Sequence, residues 1–199
     1  MAPAGESAGA GPETSTAVAG AEKPTATAVA GEGESASALL DRARRVAESV
    51  TDPELPAVTL AELGILRDVI VQDGHVHVTI TPTYLGCPAL REISGDLHRQ
   101  LREAGFAEVT VHVQLTPAWT SDAITAEGRR KLAAAGIAPP RPVARGPVPL
   151  GLPGRRDPVA CPRCGSADTT VLAPFGATLC LALHRCRACG EPFEYVKDI

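Results

Sequence analysis

The chain has 199 residues, 19 Lys+Arg against 23 Asp+Glu and only 3% aromatics, enough for one ordinary domain or two small ones. Five acids and one base (Lys23) fall in residues 1–34, which therefore carry the whole net charge of −4. A neutral remainder gives no electrostatic case for nucleic acid or an anionic membrane as partner.

Residues 1–34 are Ala, Gly, Glu, Ser, Thr and Pro with little else. That composition buries too little to offset chain entropy and predicts a disordered tail. It has no basic n-region or apolar h-region of a secretory signal, and no run of 18 apolar residues exists to span a membrane. The cytoplasm is the expected compartment, where cysteines serve more often as metal ligands or reactive thiols than as disulfides.

Order is expected from "SASALLDRARRVAESV" (35–50), with apolar residues at helical spacing and Ser35 or Ser37 to cap it. "TDPELP" (51–56) ends that helix with two prolines, and Asp52 and Glu54 read there as capping or turn-making acids. "LRDVIV" (66–71) and "HVHVTIT" (75–81) alternate as strands around the turn "QDG" (72–74). His75 and His77 share one strand face, which reads as solvated polar surface. A second helix carries Leu90, Ile93, Leu97 and Leu101, with Gly105 placed to end it. "EVTVHVQL" (108–115) is a third strand and "TAEGRRKLAAAG" (125–136) a short last helix. The fold class is α+β: a small sheet packed with helices on one face, spanning 35–138.

From Pro139 to Pro158, seven of twenty residues are proline, a semi-extended linker. The end piece, 159–199, is too small for a good core and needs a staple. "CPRCG" (161–165) and "CRACG" (186–190) supply one. Two residues between cysteines let one tight turn aim both sulfurs at a single ion, and the next glycine permits a left-handed backbone. Cys161, Cys164, Cys186 and Cys189 would close a tetrahedral site with no open position, so the expectation is a structural Zn²⁺ in a small β-rich zinc ribbon. Cys180 is the odd sulfur, read as a buried small residue of the ribbon hairpin. His184 lies near the second knuckle, but four cysteines already fill the site. The ribbon's four bases match its four acids, which again counts against nucleic acid.

"TPTYLGCPAL" (81–90) holds the sixth cysteine, Cys87. It stands where the second helix should begin, with Pro88 suited to the first helical position. Unpaired amides and the helix dipole there lower a thiol pKa, so Cys87 is a candidate functional thiol alongside the plain reading of a buried cysteine. No acid–base constellation, phosphate loop or nucleophile elbow is visible, and no catalytic residue is assigned.

"VTDPELPAVTLAELGIL" (50–66), "TPTYLGCPAL" and "LTPAWTSDAITAEGRRKLAAAGIAPP" (115–140) resemble the iron–sulfur-assembly domain family that includes SufT-like proteins. The added ribbon, with "FGAT" (175–178) and "CGEPFEYVK" (189–197), narrows the resemblance to the PaaD family, the D component of the phenylacetyl-CoA epoxidase system. It covers residues 38–199. The resemblance implies aerobic phenylacetate degradation, in which a multicomponent oxygenase with a di-iron subunit and a flavin and [2Fe–2S] reductase epoxidises the ring. The D protein of that system looks like an accessory or maturation factor, not catalytic by itself. The resemblance carries over Cys87 as the functional cysteine, for transient iron or iron–sulfur cluster transfer. It matches Cys161, Cys164, Cys186 and Cys189 to the ribbon ligands. Relatives often read "FGST-CK" where this chain has "FGATLCL" (175–181), which leaves Cys180 without a following lysine. The implied partners are the reductase or di-iron subunit. One thiolate cannot enclose a cluster, so bridging calls for a homodimer or a client cysteine. The alternative is a structural subunit or adaptor of the oxygenase that handles no metal.

Overall fold

The computed structural model describes residues 35–84, 86–142 and 158–199. The expected tail (1–34) and most of the Pro-rich linker (143–157) lie outside the described residues.

Helix α1 runs Ala36–Ser49, and the Ser35 hydroxyl oxygen accepts from the Ala38 N–H at 3.2 Å to cap it. Strands β1 (Leu66–Gln72) and β2 (His75–Ile80) form an antiparallel hairpin. Its two-residue turn places Asp73 and Gly74 at φ +49° and +80°, the left-handed pair that matches strand twist. Helix α2 (Leu90–Glu103) then crosses over to β3 (Glu108–Val113), which pairs parallel with β2. Gly105, at φ +94°, releases the end of α2. The three-stranded sheet has the order β1-β2-β3.

One face of this sheet is dry. Val69, Val76, Val78, Ile80 and Val109 pack there against Ala43 and Ala47 of α1 and Ile93, Leu97 and Leu101 of α2. The α2 stripe at 93, 97 and 101 is fully interior, as its spacing predicts. The other face stays open, carrying His75, His77 and the exposed Ile70.

Beyond β3, a 3₁₀ turn (Ser121–Ala123) leads to helix α3 (Ala126–Ala134). Trp119 is buried beside it and donates its indole N–H to the Leu63 carbonyl at 2.8 Å. Strand β4 (Ile137–Ala138) follows, and it joins the second sheet. That sheet has the order β4-β7-β6-β5, from β5 (Thr169–Ala173), β6 (Leu181–Cys186) and β7 (Pro192–Val196). The chain is thus α+β, a helix-covered sheet followed by a β-rich cysteine ribbon.

The strands of the ribbon divide their side chains between two interiors. Ala182, Cys186, Phe193 and Tyr195 build a small core with Ala138, Val159 and Cys161. Leu181 and Val196, at the paired ends of β6 and β7, enter the larger core of the first sheet. Further ties are the Ser121 N–H to the Ile199 carbonyl at 3.0 Å and the Arg141–Asp198 ion pair at 2.6 Å. This seam decides where Cys180 falls.

Candidate metal centre and the Cys87 thiol

Each cysteine knuckle is a one-turn loop. The Gly165 N–H donates to the Cys161 carbonyl at 2.9 Å, and the Gly190 N–H donates to the Cys186 carbonyl at 3.0 Å. Both glycines are left-handed, at φ +74° and +82°, as the C-x-x-C-G spelling predicts. The two knuckles face each other. Cys161 and Cys189 sulfurs are 3.9 Å apart, Cys164 and Cys186 sulfurs 3.6 Å, and all four lie within 4.8 Å of one another. Zn–S bonds of about 2.3 Å give a tetrahedron whose edge is about 3.8 Å. The four sulfurs therefore fit one tetrahedral metal ion.

The clustered thiols act on one another. The Cys189 backbone N–H, with help from its sulfur neighbours and the Ala188 N–H, lowers the Cys186 thiol to about 7. Its partner Cys164 goes the other way. The Ser166 N–H favours its thiolate, but the bond to Cys186, burial and the other two thiols together push it to about 12. Four thiolates gathered this closely need a positive charge beside them, which a divalent ion would supply.

His184 is not part of this cluster. Its ring is buried edge-on to Tyr195 and beside Phe193, and burial, then Arg141, lower its pKa.

On the open sheet face, His75 stacks on His77 with ring centroids 4.2 Å apart. His77 Nδ1 lies 3.2 Å from His112 Nε2 of the neighbouring strand. Among the described residues no third metal donor completes a group with this pair.

Cys87 is half-buried at the approach to α2. Its N–H donates to the Tyr84 carbonyl at 3.3 Å, and its own carbonyl accepts from the Leu90 N–H at 3.3 Å. The helix starts at Leu90, not at Pro88, so the proline sits in the turn that precedes it. The expected lowering of the thiol pKa is present but overruled. N–H groups of Ala89 and Leu90 favour the thiolate, yet burial outweighs them, and Glu54 and Asp52 add to it. The Cys87 pKa is raised, and at neutral pH the group is a thiol.

The acids come from the bend after α1. Asp52 is buried and its Oδ1 accepts from the N–H groups of Glu54 and Leu55, both at 2.9 Å. That is the turn-making role its place beside Pro53 predicts. The same bend delivers Glu54 to a pocket that Asp52, Cys87 and Cys180 also line. The Cys180 sulfur lies 3.9 Å from Glu54 Oε2 and 2.9 Å from the Thr178 hydroxyl. The sequence alone assigns neither Glu54 nor Cys180 to the neighbourhood of Cys87. Positions 54, 87 and 180 have no shared spacing, and Cys180 packs against the larger core beside Cys87 where Leu181 and Val196 enter it.

Comparison with known proteins agrees with both halves. The profile described as "Iron-sulfur cluster assembly protein" matches residues 41–113, and the "PaaD zinc beta ribbon domain" matches 146–197. The chain is 41% identical over 150 residues to a protein of Escherichia coli (strain K12) provisionally named as the D component of 1,2-phenylacetyl-CoA epoxidase. That alignment covers 75% of this chain and 87% of the relative. It is 36% identical to the "Fe-S protein maturation auxiliary factor YitW" of Bacillus subtilis (strain 168), over 43% of this chain and 84% of the other. A crystal structure of a domain of unknown function, DUF59, from Bacillus anthracis aligns over 48% of this chain and 92% of its own, at 27% identity and a TM-score of 0.45. Among the described residues, no helix is long and apolar enough to cross a membrane.

Proposed function

This chain belongs to the PaaD family, that of the D component of 1,2-phenylacetyl-CoA epoxidase, and from that membership we propose that it is an accessory protein of the epoxidase that helps assemble or maintain an iron–sulfur or iron centre in another subunit. The observation that carries the reading is the union, on one chain, of an iron–sulfur-assembly match over 41–113 with the PaaD ribbon over 146–197. Cys87 lies inside the first match and is the thiol that holds or passes the iron. Cys161, Cys164, Cys186 and Cys189 hold a structural Zn²⁺, because four thiolates leave no position open for chemistry. The client is the reductase or the di-iron subunit, and the setting is the cytoplasm, where thiols stay reduced. No acid–base pair for a reaction of its own is assigned.

The test is the metal content of the client. Epoxidase subunits purified from a strain carrying Cys87→Ser should lack iron, while the Cys87→Ser protein itself stays folded and keeps its zinc. Full iron content in that strain overturns the reading. Joined with stable co-purification at fixed stoichiometry, that result would establish an adaptor subunit instead.

A further inference from the structure

Cys180 is the sulfur that the proposed function leaves unused. It stands just ahead of β6, held by the Thr178 hydroxyl, and its thiol is turned away from the four-cysteine cluster toward Glu54. The pocket at this seam is lined by two thiols, Cys87 and Cys180, and two carboxylates, Asp52 and Glu54; among the described residues the rest of its wall is apolar apart from Thr83 and holds no Lys, Arg or His. Asp52 is committed to the backbone of its own turn. Glu54 makes no ion pair among the described residues, and its carboxylate accepts from the Cys180 thiol. Tyr84, outside the pocket lining, carries a hydroxyl that is buried and without a hydrogen-bond partner among the described residues.

We propose that this seam is a second metal site, in which Cys87 and Cys180 give two sulfurs and Glu54 a carboxylate to a thiophilic divalent cation of the Fe²⁺ class. It rests on the reading of the chain as an iron-handling accessory, and it adds the ribbon as the donor of the second sulfur. Two sulfurs and one carboxylate suit Fe²⁺, Co²⁺ or Zn²⁺ over Mg²⁺ or Ca²⁺. Three protein donors leave a coordination position open, which a site that surrenders its ion requires and the closed ribbon site lacks.

Burial and charge crowd the seam. Asp52, Glu54, Cys87, Cys180 and Tyr84 all have raised pKa values, in each case from burial first. The neighbouring acids then add their repulsion, Glu92 included at Asp52 and Glu54. Among the described residues no Lys, Arg or His lines the pocket to offset them. A packing role explains a buried cysteine, but not two thiols and a carboxylate gathered in one pocket with no base among the described residues.

Among the described residues, only the ribbon cysteines gather three or more donors within 4.8 Å. The seam donors stand wider, so binding turns side chains inward. On binding, two S–metal bonds form, each thiol gives its proton to water, and no group changes oxidation state. Release is the reverse, by exchange with the ligands of the client.

The experiment is an anaerobic Co²⁺ titration of the full chain carrying zinc in its ribbon, with zinc measured throughout. Wild type should bind one further equivalent of Co²⁺ with a sulfur-to-cobalt charge-transfer band, while zinc stays at one per chain. Cys180→Ser and Cys87→Ser should each lose that band. Glu54→Gln should weaken binding by about tenfold or more, the scale felt even on losing an outer-shell partner. A wild-type chain that takes up no second equivalent overturns the site, and so does a band that survives Cys180→Ser. Client iron separates this from the preceding reading. If the Cys87→Ser strain yields iron-poor client but the Cys180→Ser chain keeps its second equivalent, the seam site falls and the accessory role stands. If both variants lose the cobalt band yet their strains yield fully loaded client, the site stands and the accessory role falls.

Discussion

Cys180 and Glu54 are 126 residues apart in the chain, yet the sulfur of one lies 3.9 Å from the carboxylate of the other. Glu54 carries a negative charge whenever it ionises, and it sits beside both seam thiols. Burial is the main reason the Cys87 and Cys180 pKa values are raised, and Glu54 is the first charge that adds to it at each. Glu54→Gln should therefore lower both thiol pKa values and speed their alkylation by iodoacetamide at pH 8. The pH–rate curve should move to lower pH, while its plateau at high pH stays put. An unshifted curve would show that Glu54 does not act on these thiols. The same variant has a sign in stability. The folded-state pKa of Glu54 is raised, by burial first and then Asp52, so what it contributes is present at acid pH and lost as pH rises through that value. Glu54→Gln should be more stable than wild type at pH 7, and the gap should close towards pH 4.

Removing the ribbon metal should weaken the first sheet as well as the ribbon. Structural zinc contributes on the order of 10 kcal/mol to small metal-bound folds, comparable to the whole stability of a domain. A ribbon released from its metal cannot hold Leu181 and Val196, 1% and 4% exposed, in the larger core. Each such side chain contributes about 1.5–3 kcal/mol when fully buried. Trp119 is the single tryptophan and lies in the larger core, so its fluorescence reports that core alone. Chelation, or Cys186→Ala, should lower the Tm read at Trp119 by several degrees. An unchanged Trp119 transition would mean that the two cores are uncoupled.

The stripe at Ile93, Leu97 and Leu101 is helical spacing and nothing else, and it is buried as its period predicts. The hairpin turn at Asp73–Gly74 and the two C-x-x-C-G knuckles are equally local signals, and all took the expected backbone. Two kinds of feature were not legible. Ile137–Ala138 has only two residues in its strand, too few for a period, and is a strand by virtue of its parallel pairing with β7. The company of Cys87 was hidden for a different reason. Helix-start amides could be foreseen from Pro88 and the apolar run, and they act on the sulfur, but the burial and the carboxylates that outweigh them come from elsewhere in the chain. His112 likewise meets His77 only through the parallel register of β2 and β3.

Asp52 tests whether the bend after α1 places Glu54. Its Oδ1 takes two backbone N–H groups at 2.9 Å each, and the residue is 6% exposed. Asp52→Ala leaves both donors without that acceptor in a buried turn, a loss of about 1–3 kcal/mol, and frees Glu54 to leave the seam. Asp52→Asn keeps an oxygen where both N–H groups point and removes the charge. Burial holds the Asp52 pKa up, against the pull of those two N–H groups, so the neutral amide also avoids the cost of an ionised carboxylate at pH 7. Urea midpoints should place Asp52→Asn at or above wild type and Asp52→Ala well below it. Alkylation of Cys180 should rise in Asp52→Ala beyond its rise in Asp52→Asn, because only the alanine variant loses the turn as well as the charge. Equal midpoints for the two variants would show that the carboxyl oxygen does not organise the bend, and Glu54 would then owe its position to Pro53 and Pro56 alone.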